Sequence, residues 1–211
     1  MHAMPYLLSF YLFLGTNVGA LAAVTLYKIP KVKAPHLYIF CGIVLTALLA
    51  FELIPHAMEE YGFINVAFGA SLGVLICICL HGLFEDVSSQ AYRSVLFIVV
   101  AIAIHNIPAG LAIGSTLENE TLSGSFIVAT IVHQIPEGLA IMTALLLSGK
   151  RFLSLFLFFL FSLLLSGIFL FFSNAGHLAE LPWKSNGLIL GTAIGFLLFT
   201  ALIEFLFKKH S

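Results

Sequence analysis

Read from its amino terminus, the chain is a succession of long apolar blocks broken by short polar stretches. A helix that crosses a bilayer needs about 20 mostly apolar residues. Seven blocks meet that length, at 6–27, 36–57, 63–84, 92–116, 124–148, 152–173 and 184–207. The first is longer than the apolar core of a signal peptide and has no Lys or Arg ahead of it, so it reads as a retained span. The predicted fold is all-α: a polytopic transmembrane helix bundle forming a single domain over residues 1–211.

Composition supports this. Of the 211 residues 61% are apolar and 9% charged, with a mean hydropathy of +1.10. A soluble domain carries about a quarter charged residues to cover its surface, so most of this surface meets something other than water. A net charge of −1 gives no basic field for nucleic acid. The charged residues between spans suggest an orientation. Lys28, Lys31 and Lys33 follow the first span, Lys150 and Arg151 the fifth, and Lys208 and Lys209 the seventh. Glu59 and Glu60, then Glu118 and Glu120, fall on the opposite side, while Glu85, Asp86 and Arg93 decide nothing. The positive-inside rule then puts the N-terminus outside and the C-terminus inside, as in a multi-pass protein of a cell membrane, the cytoplasmic membrane if the source is bacterial. Cys41, Cys77 and Cys79 lie within spans and read as small apolar residues.

One internal repeat carries chemistry. His105-Asn106-Ile107-Pro108-Ala109-Gly110-Leu111-Ala112-Ile113 in the fourth span recurs as His133-Gln134-Ile135-Pro136-Glu137-Gly138-Leu139-Ala140-Ile141 in the fifth, identical at seven of nine positions with an offset of 28. Consecutive spans run antiparallel, so the two copies face each other with inverted orientation, as at a pseudo-two-fold site near the bilayer midplane. Pro108 and Pro136 each remove a helical hydrogen bond, from the carbonyls of Ile104 and Val132.

His133 and Glu137 are four apart and share a helical face. Packing of the two spans can bring His105, His133 and Glu137 together, with Asn106 and Gln134 beside them. Imidazole nitrogen and carboxylate oxygen suit zinc, iron or manganese, and ionisable groups at that depth mark a pathway or a site. Glu52 and His56, four apart in the second span, form a secondary pathway pair for the extracellular mouth. Glu204 is the corresponding candidate for the cytoplasmic exit. His81 reads as structural, Asn17 as a link between helices, and Trp183 as an interfacial anchor. Asn174, His177 and Glu180 read as loop, and 152–172, mostly Leu, Phe and Ser, as lipid-facing.

These motifs resemble those of the ZIP (Zrt/Irt-like) metal transporters, closest to the compact prokaryotic branch. The second span, Phe51-Glu52-Leu53-Ile54-Pro55-His56-Ala57-Met58-Glu59, and the segment from Gly191 to Phe205, with Gly195 and Glu204, are also similar, so the likeness covers nearly the whole chain. The resemblance implies uptake of zinc, iron, manganese or cadmium into the cytoplasm. It implies His105, His133 and Glu137 as ligands of a principal site, and Asn106, Gln134 and Glu137 as the remnant of a second one. Three departures weaken the two-metal arrangement. Ala109 stands where the family has Glu, the sixth span reads Ser162-Leu163-Leu164-Leu165-Ser166-Gly167 without a carboxylate, and seven spans are found where the family has eight.

The expected function is therefore membrane transport of a divalent cation, zinc first, with iron and manganese as alternatives. No enzymatic step and no prosthetic group is expected. The expected partners are the metal ions and the lipid bilayer, with a homodimer as a further option and no nucleic acid. An incoming cation would displace a proton from Glu137, so uptake should slow in acid. The rivals are an intramembrane zinc hydrolase built on the same three ligands and a relative that binds metal without moving it.

Overall fold

A computed structural model of the chain describes residues 4–30, 32–84, 90–117, 120–147, 151–179 and 181–207, with backbone alone at 90–92, 120–127 and 151–152. The described residues form seven helices long and apolar enough to cross a membrane, and no strand. We label them α1 (Met4–Leu26), α2 (Ala34–Tyr61), α3 (Phe63–Leu83), α4 (Gln90–Thr116), α5 (Glu120–Leu147), α6 (Arg151–Ala179) and α7 (Trp183–Phe207). The sequence places each of them. It underestimates α6, which continues to Ala179 and carries Asn174 and His177 on the helix where a loop was expected. The Asn174 amide satisfies itself on the Leu170 carbonyl at 2.9 Å, which costs the helix nothing. Glu180, Lys31, Glu85, Asp86, Glu118, Lys150, Lys208 and Lys209 lie outside the described residues.

Two helices depart from α geometry. A π-helical turn at Leu49–Leu53 precedes Pro55 in α2. The proline ring would collide with the carbonyl four residues back, at Phe51, and the wider turn relieves that collision. The last turns of α7, Thr200–Phe207, are also π-helical. Between α2 and α3 the chain turns at Gly62, whose φ of 81° is one an L side chain rarely adopts.

In lipid, apolar side chains gain little by meeting each other, and helices associate where small residues let backbones touch. Three pairs do so here. Gly15, Gly19 and Gly138 press α1 against α5, so that a Cβ on Gly19 would overlap the Ile135 carbonyl and one on Gly138 the Thr16 carbonyl. Gly114 and Gly176 do the same between α4 and α6, against Ser173 and Leu111. Gly69, Gly73, Gly191 and Gly195 join α3 to α7. Successive glycines on one helix meet successive turns of the other (Gly15 and Gly19 reach Ile131 and Ile135, Gly110 and Gly114 reach Phe169 and Ser173, Gly69 and Gly73 reach Leu188 and Thr192), so the partners are parallel: odd helix with odd, even with even. That parity is what seven alternating crossings require.

Side chains add cross-links. Asn17 on α1 donates to Ser162 Oγ at 3.3 Å, as expected of a link between helices, and Ser9 donates to the Ser166 carbonyl at 2.7 Å. Trp183 is half exposed, like an interfacial anchor, yet its indole N–H also donates to the Glu60 carbonyl at 2.7 Å and fastens α7 to the end of α2. Cys41, Cys77 and Cys79 are free. The most enclosed helix is α5, whereas α3 and α6 are the most exposed, which fits the Leu/Phe-rich surface expected of α6. The chain is a multi-pass membrane protein with its repeat copies on the enclosed helices.

Candidate functional site

The two helices that hold the repeat, α4 and α5, remain helical through Pro108 and Pro136 and carry its copies to mid-span. There the rings of His105 and His133 meet edge-on, centroids 5.7 Å apart and planes at 82°. Donor atoms of His105, His133 and Glu137 all lie within 4.8 Å of one another, and the three side chains are buried. A tetrahedral ion bonded at about 2.1 Å holds its ligands about 3.4 Å apart. The group therefore has to contract by an ångström or so around a cation, a movement within reach of side-chain rotation.

Hydrogen bonds fix which nitrogen each histidine offers. His105 Nδ1 lies 2.9 Å from the Ala193 carbonyl of α7, and His133 Nδ1 lies 3.0 Å from the Ala129 carbonyl one turn earlier in α5. A carbonyl only accepts, so both Nδ1 atoms carry the hydrogen, and both Nε2 atoms keep a lone pair. Backbone carbonyls orient metal-binding imidazoles in this way. His105 Nε2 and both carboxylate oxygens of Glu137 have no hydrogen-bond partner. Buried acceptors left so are costly, more so in a bilayer where water is scarce. Three unpartnered acceptors thus converge on one point, an arrangement that could hold a cation.

The flanking amides behave differently from each other. Asn106 donates to the Leu165 carbonyl of α6 at 3.3 Å and leaves its Oδ1 unpartnered. Gln134 Nε2 lies 3.3 Å from His133 Nε2, and its Oε1 accepts from Thr16 Oγ1 on α1 at 3.0 Å. Ala109, four residues after His105, belongs to an apolar cluster with Leu8, Leu12, Ile113, Phe169 and Ala193. Its surroundings are those of a methyl group and not of a second carboxylate.

The secondary candidates stand apart. Glu52 lies on the π-helical turn of α2 with its side chain exposed, and His56 is half-buried a turn further on; neither joins the mid-span group. Glu204 is fully buried on the π-helical end of α7, and its carboxylate lies 3.0 Å from Nε2 of the partly exposed His81. His81 also packs edge-on against Phe97 and Phe199, with centroids at 5.1 and 6.1 Å. The structural role expected of His81 thus includes pairing with the acid proposed for the exit.

Sequence reasoning missed the orienting partners. Ala129 could have been considered, because the carbonyl four residues before a histidine on the same helix can come within reach of its ring. Ala193 and Thr16 could not, since both contacts depend on how distant helices pack.

A family model described as ZIP zinc transporter matches residues 84–211, more than half of the chain, and takes in α4 to α7 with both repeat copies. The similarity read in the second span lies outside the matched residues. No curated protein matches the chain.

Proposed function

Because the chain belongs to the ZIP zinc transporter family, and so is a divalent-metal transporter, we propose that it takes up zinc through a mid-membrane site made by His105, His133 and Glu137. The observation that carries this is the convergence of their donor atoms within 4.8 Å, with His105 Nε2 and both Glu137 oxygens unpartnered. The ligand set also serves iron, manganese or cadmium; zinc comes first because the matching family model is described as a zinc transporter.

In this reading a hydrated cation reaches the site from the outer face and exchanges water for the two imidazole nitrogens and the carboxylate. Two neutral imidazoles and one carboxylate leave a bound divalent ion with a formal charge of about +1, which keeps binding weak enough for release. Asn106 and Gln134 flank the ion, and Ala109 leaves no carboxylate on α4 to bridge a second one. The glycine contacts make α1–α5 and α4–α6 rigid pairs. His105 and His133 belong to different pairs, so rocking one against the other changes the spacing of the ligands and exposes the site to each face in turn. Glu52 and His56 serve the outer mouth and Glu204 the cytoplasmic exit. The N-terminus lies outside, which puts Lys28 and Lys33 in the cytoplasm.

Hydrolysis is the weaker reading, because the group holds one carboxylate, and that one is needed as a ligand. Liposomes containing the purified protein and a metal-sensitive dye distinguish the alternatives. Zinc should enter fastest in a panel with iron, manganese and cadmium. Faster manganese or iron uptake would reassign the substrate, and binding without flux would make the chain a binding protein. Protons compete with the cation for the imidazole nitrogens and the carboxylate, so uptake should fall as the outer pH drops from about 8 to 5. A rate constant over that interval would rule out proton competition.

A further inference from the structure

The two histidines are not equally available to a cation. His105 Nε2 has no partner, whereas the Nε2 lone pair of His133 already faces a donor, the Gln134 amide nitrogen at 3.3 Å. The direction of that contact is fixed by its surroundings. His133 Nδ1 gives its hydrogen to the Ala129 carbonyl, so Nε2 can only accept. At the other end of the amide, Oε1 accepts from Thr16 Oγ1 at 3.0 Å, so the NH2 group is the end turned toward the histidine.

We propose that Gln134 is a latch on the metal site: its amide caps the coordinating lone pair of His133, and Thr16 on α1 holds it there. The inference rests on the mid-membrane site proposed above, and it assigns Gln134 and Thr16 positioning roles. A lone pair that accepts the amide hydrogen cannot also bind a cation, so the ion must displace Gln134 before His133 completes the shell.

The latch is built to be weak. At 3.3 Å the Gln134–His133 contact is longer than the usual range for a hydrogen bond, about 2.7–3.2 Å. Thr16 has one hydroxyl hydrogen, and the Leu12 carbonyl at 2.8 Å competes with Gln134 for it. When Gln134 swings away, that hydrogen passes wholly to Leu12 and the hydroxyl is not stranded. The hold is nonetheless well placed, because α1 meets α5 backbone to backbone at Thr16 and Gly138, next to Glu137. The latch lowers resting affinity and assists release, since the amide reclaims His133 as the ion leaves.

The test is equilibrium binding of Co2+ to the purified unaltered protein and to the Gln134→Leu and Thr16→Val variants. Visible absorption reports affinity and ligand geometry, and thermal unfolding is followed in parallel. Gln134→Leu removes the cap and leaves the Thr16 hydroxyl with its Leu12 partner. It should bind Co2+ about two- to fivefold more tightly, the lower part of what one neutral hydrogen bond is worth. Thr16→Val should give a smaller gain in the same direction with an unchanged absorption band shape. Weaker binding by Gln134→Leu would make Gln134 a ligand and overturn the latch, and unchanged affinity in both variants would overturn it too. A lower unfolding temperature for Thr16→Val with no gain in affinity would reduce Thr16 to a packing residue and remove its part. If the unaltered protein binds no Co2+ at all, the metal site itself fails and the latch with it. Binding abolished by Glu137→Ala but unchanged by both latch variants would retain the site and reject the latch alone.

Discussion

Glu137→Ala is expected to bind zinc at least about a hundredfold more weakly than the unaltered protein while unfolding at the same temperature or a higher one. The two effects have one cause. Glu137 is buried with both oxygens unpartnered, an arrangement unfavourable to folding that a bound cation makes good. Two unit charges 4 Å apart attract by about 4 kcal/mol at an effective dielectric constant of 20. A divalent ion in direct contact with the carboxylate gains more than that, and about 1.4 kcal/mol is already tenfold in affinity. His133→Ala should also lose binding, since one imidazole and a carboxylate do not complete the shell. Isothermal titration with zinc, alongside thermal unfolding in detergent, reads both quantities. Affinity for zinc within about threefold of the unaltered protein, no more than one ordinary hydrogen bond is worth, would remove Glu137 from the shell.

The largest effect on stability is expected at Gly138. A Cβ there would overlap the carbonyl oxygen and carbon of Thr16 and its Cα, which are backbone atoms that cannot rotate aside. Gly138→Val should therefore push α1 off α5 and lose the matching approaches at Gly15 and Gly19. We expect a destabilisation of about 3 kcal/mol or more, the upper end of what overpacking costs, with loss of metal binding because Gln134 and Glu137 lie on the displaced face. Gly167 supplies the control. It sits on the exposed face of α6, and a Cβ added there meets nothing within 4 Å. Gly167→Ala should leave the protein unchanged or stabilise it by about 0.5–1 kcal/mol, the helix-propensity gain. Thermal unfolding of the two variants in one detergent makes the comparison. Equal unfolding temperatures would show that the close approach of α1 and α5 is dispensable.

The fold was legible because the bilayer imposes one coarse rule, a long apolar run for each crossing, and all seven helices obey it. Boundaries were less so. Asn174 and His177 are polar and read as loop, yet a helix near the membrane surface tolerates polar side chains, and α6 carries both. The core of the site was legible for a different reason. A repeated His and a repeated Pro-x-Gly on neighbouring spans is a pattern that apolar helices do not produce by accident, and the structure brings His105, His133 and Glu137 together. The repeat could not reveal that its two copies are used unequally. Asn106 turns to α6 and Gln134 to His133 and α1, a difference set by which helix each copy faces. Glu204 shows the same limit. Its position near the end of α7 was evident from the sequence, but its pairing with His81 depends on how α3 lies along α7.

The measurement that bears most directly on this account is zinc flux into liposomes containing the unaltered protein or Glu137→Ala, prepared at equal protein density and read with an internal zinc dye. Saturable zinc uptake is expected of the unaltered protein and, for Glu137→Ala, a rate no different from that of protein-free liposomes. Equal uptake by both proteins would contradict it, because zinc would then cross by a path that does not pass through His105, His133 and Glu137.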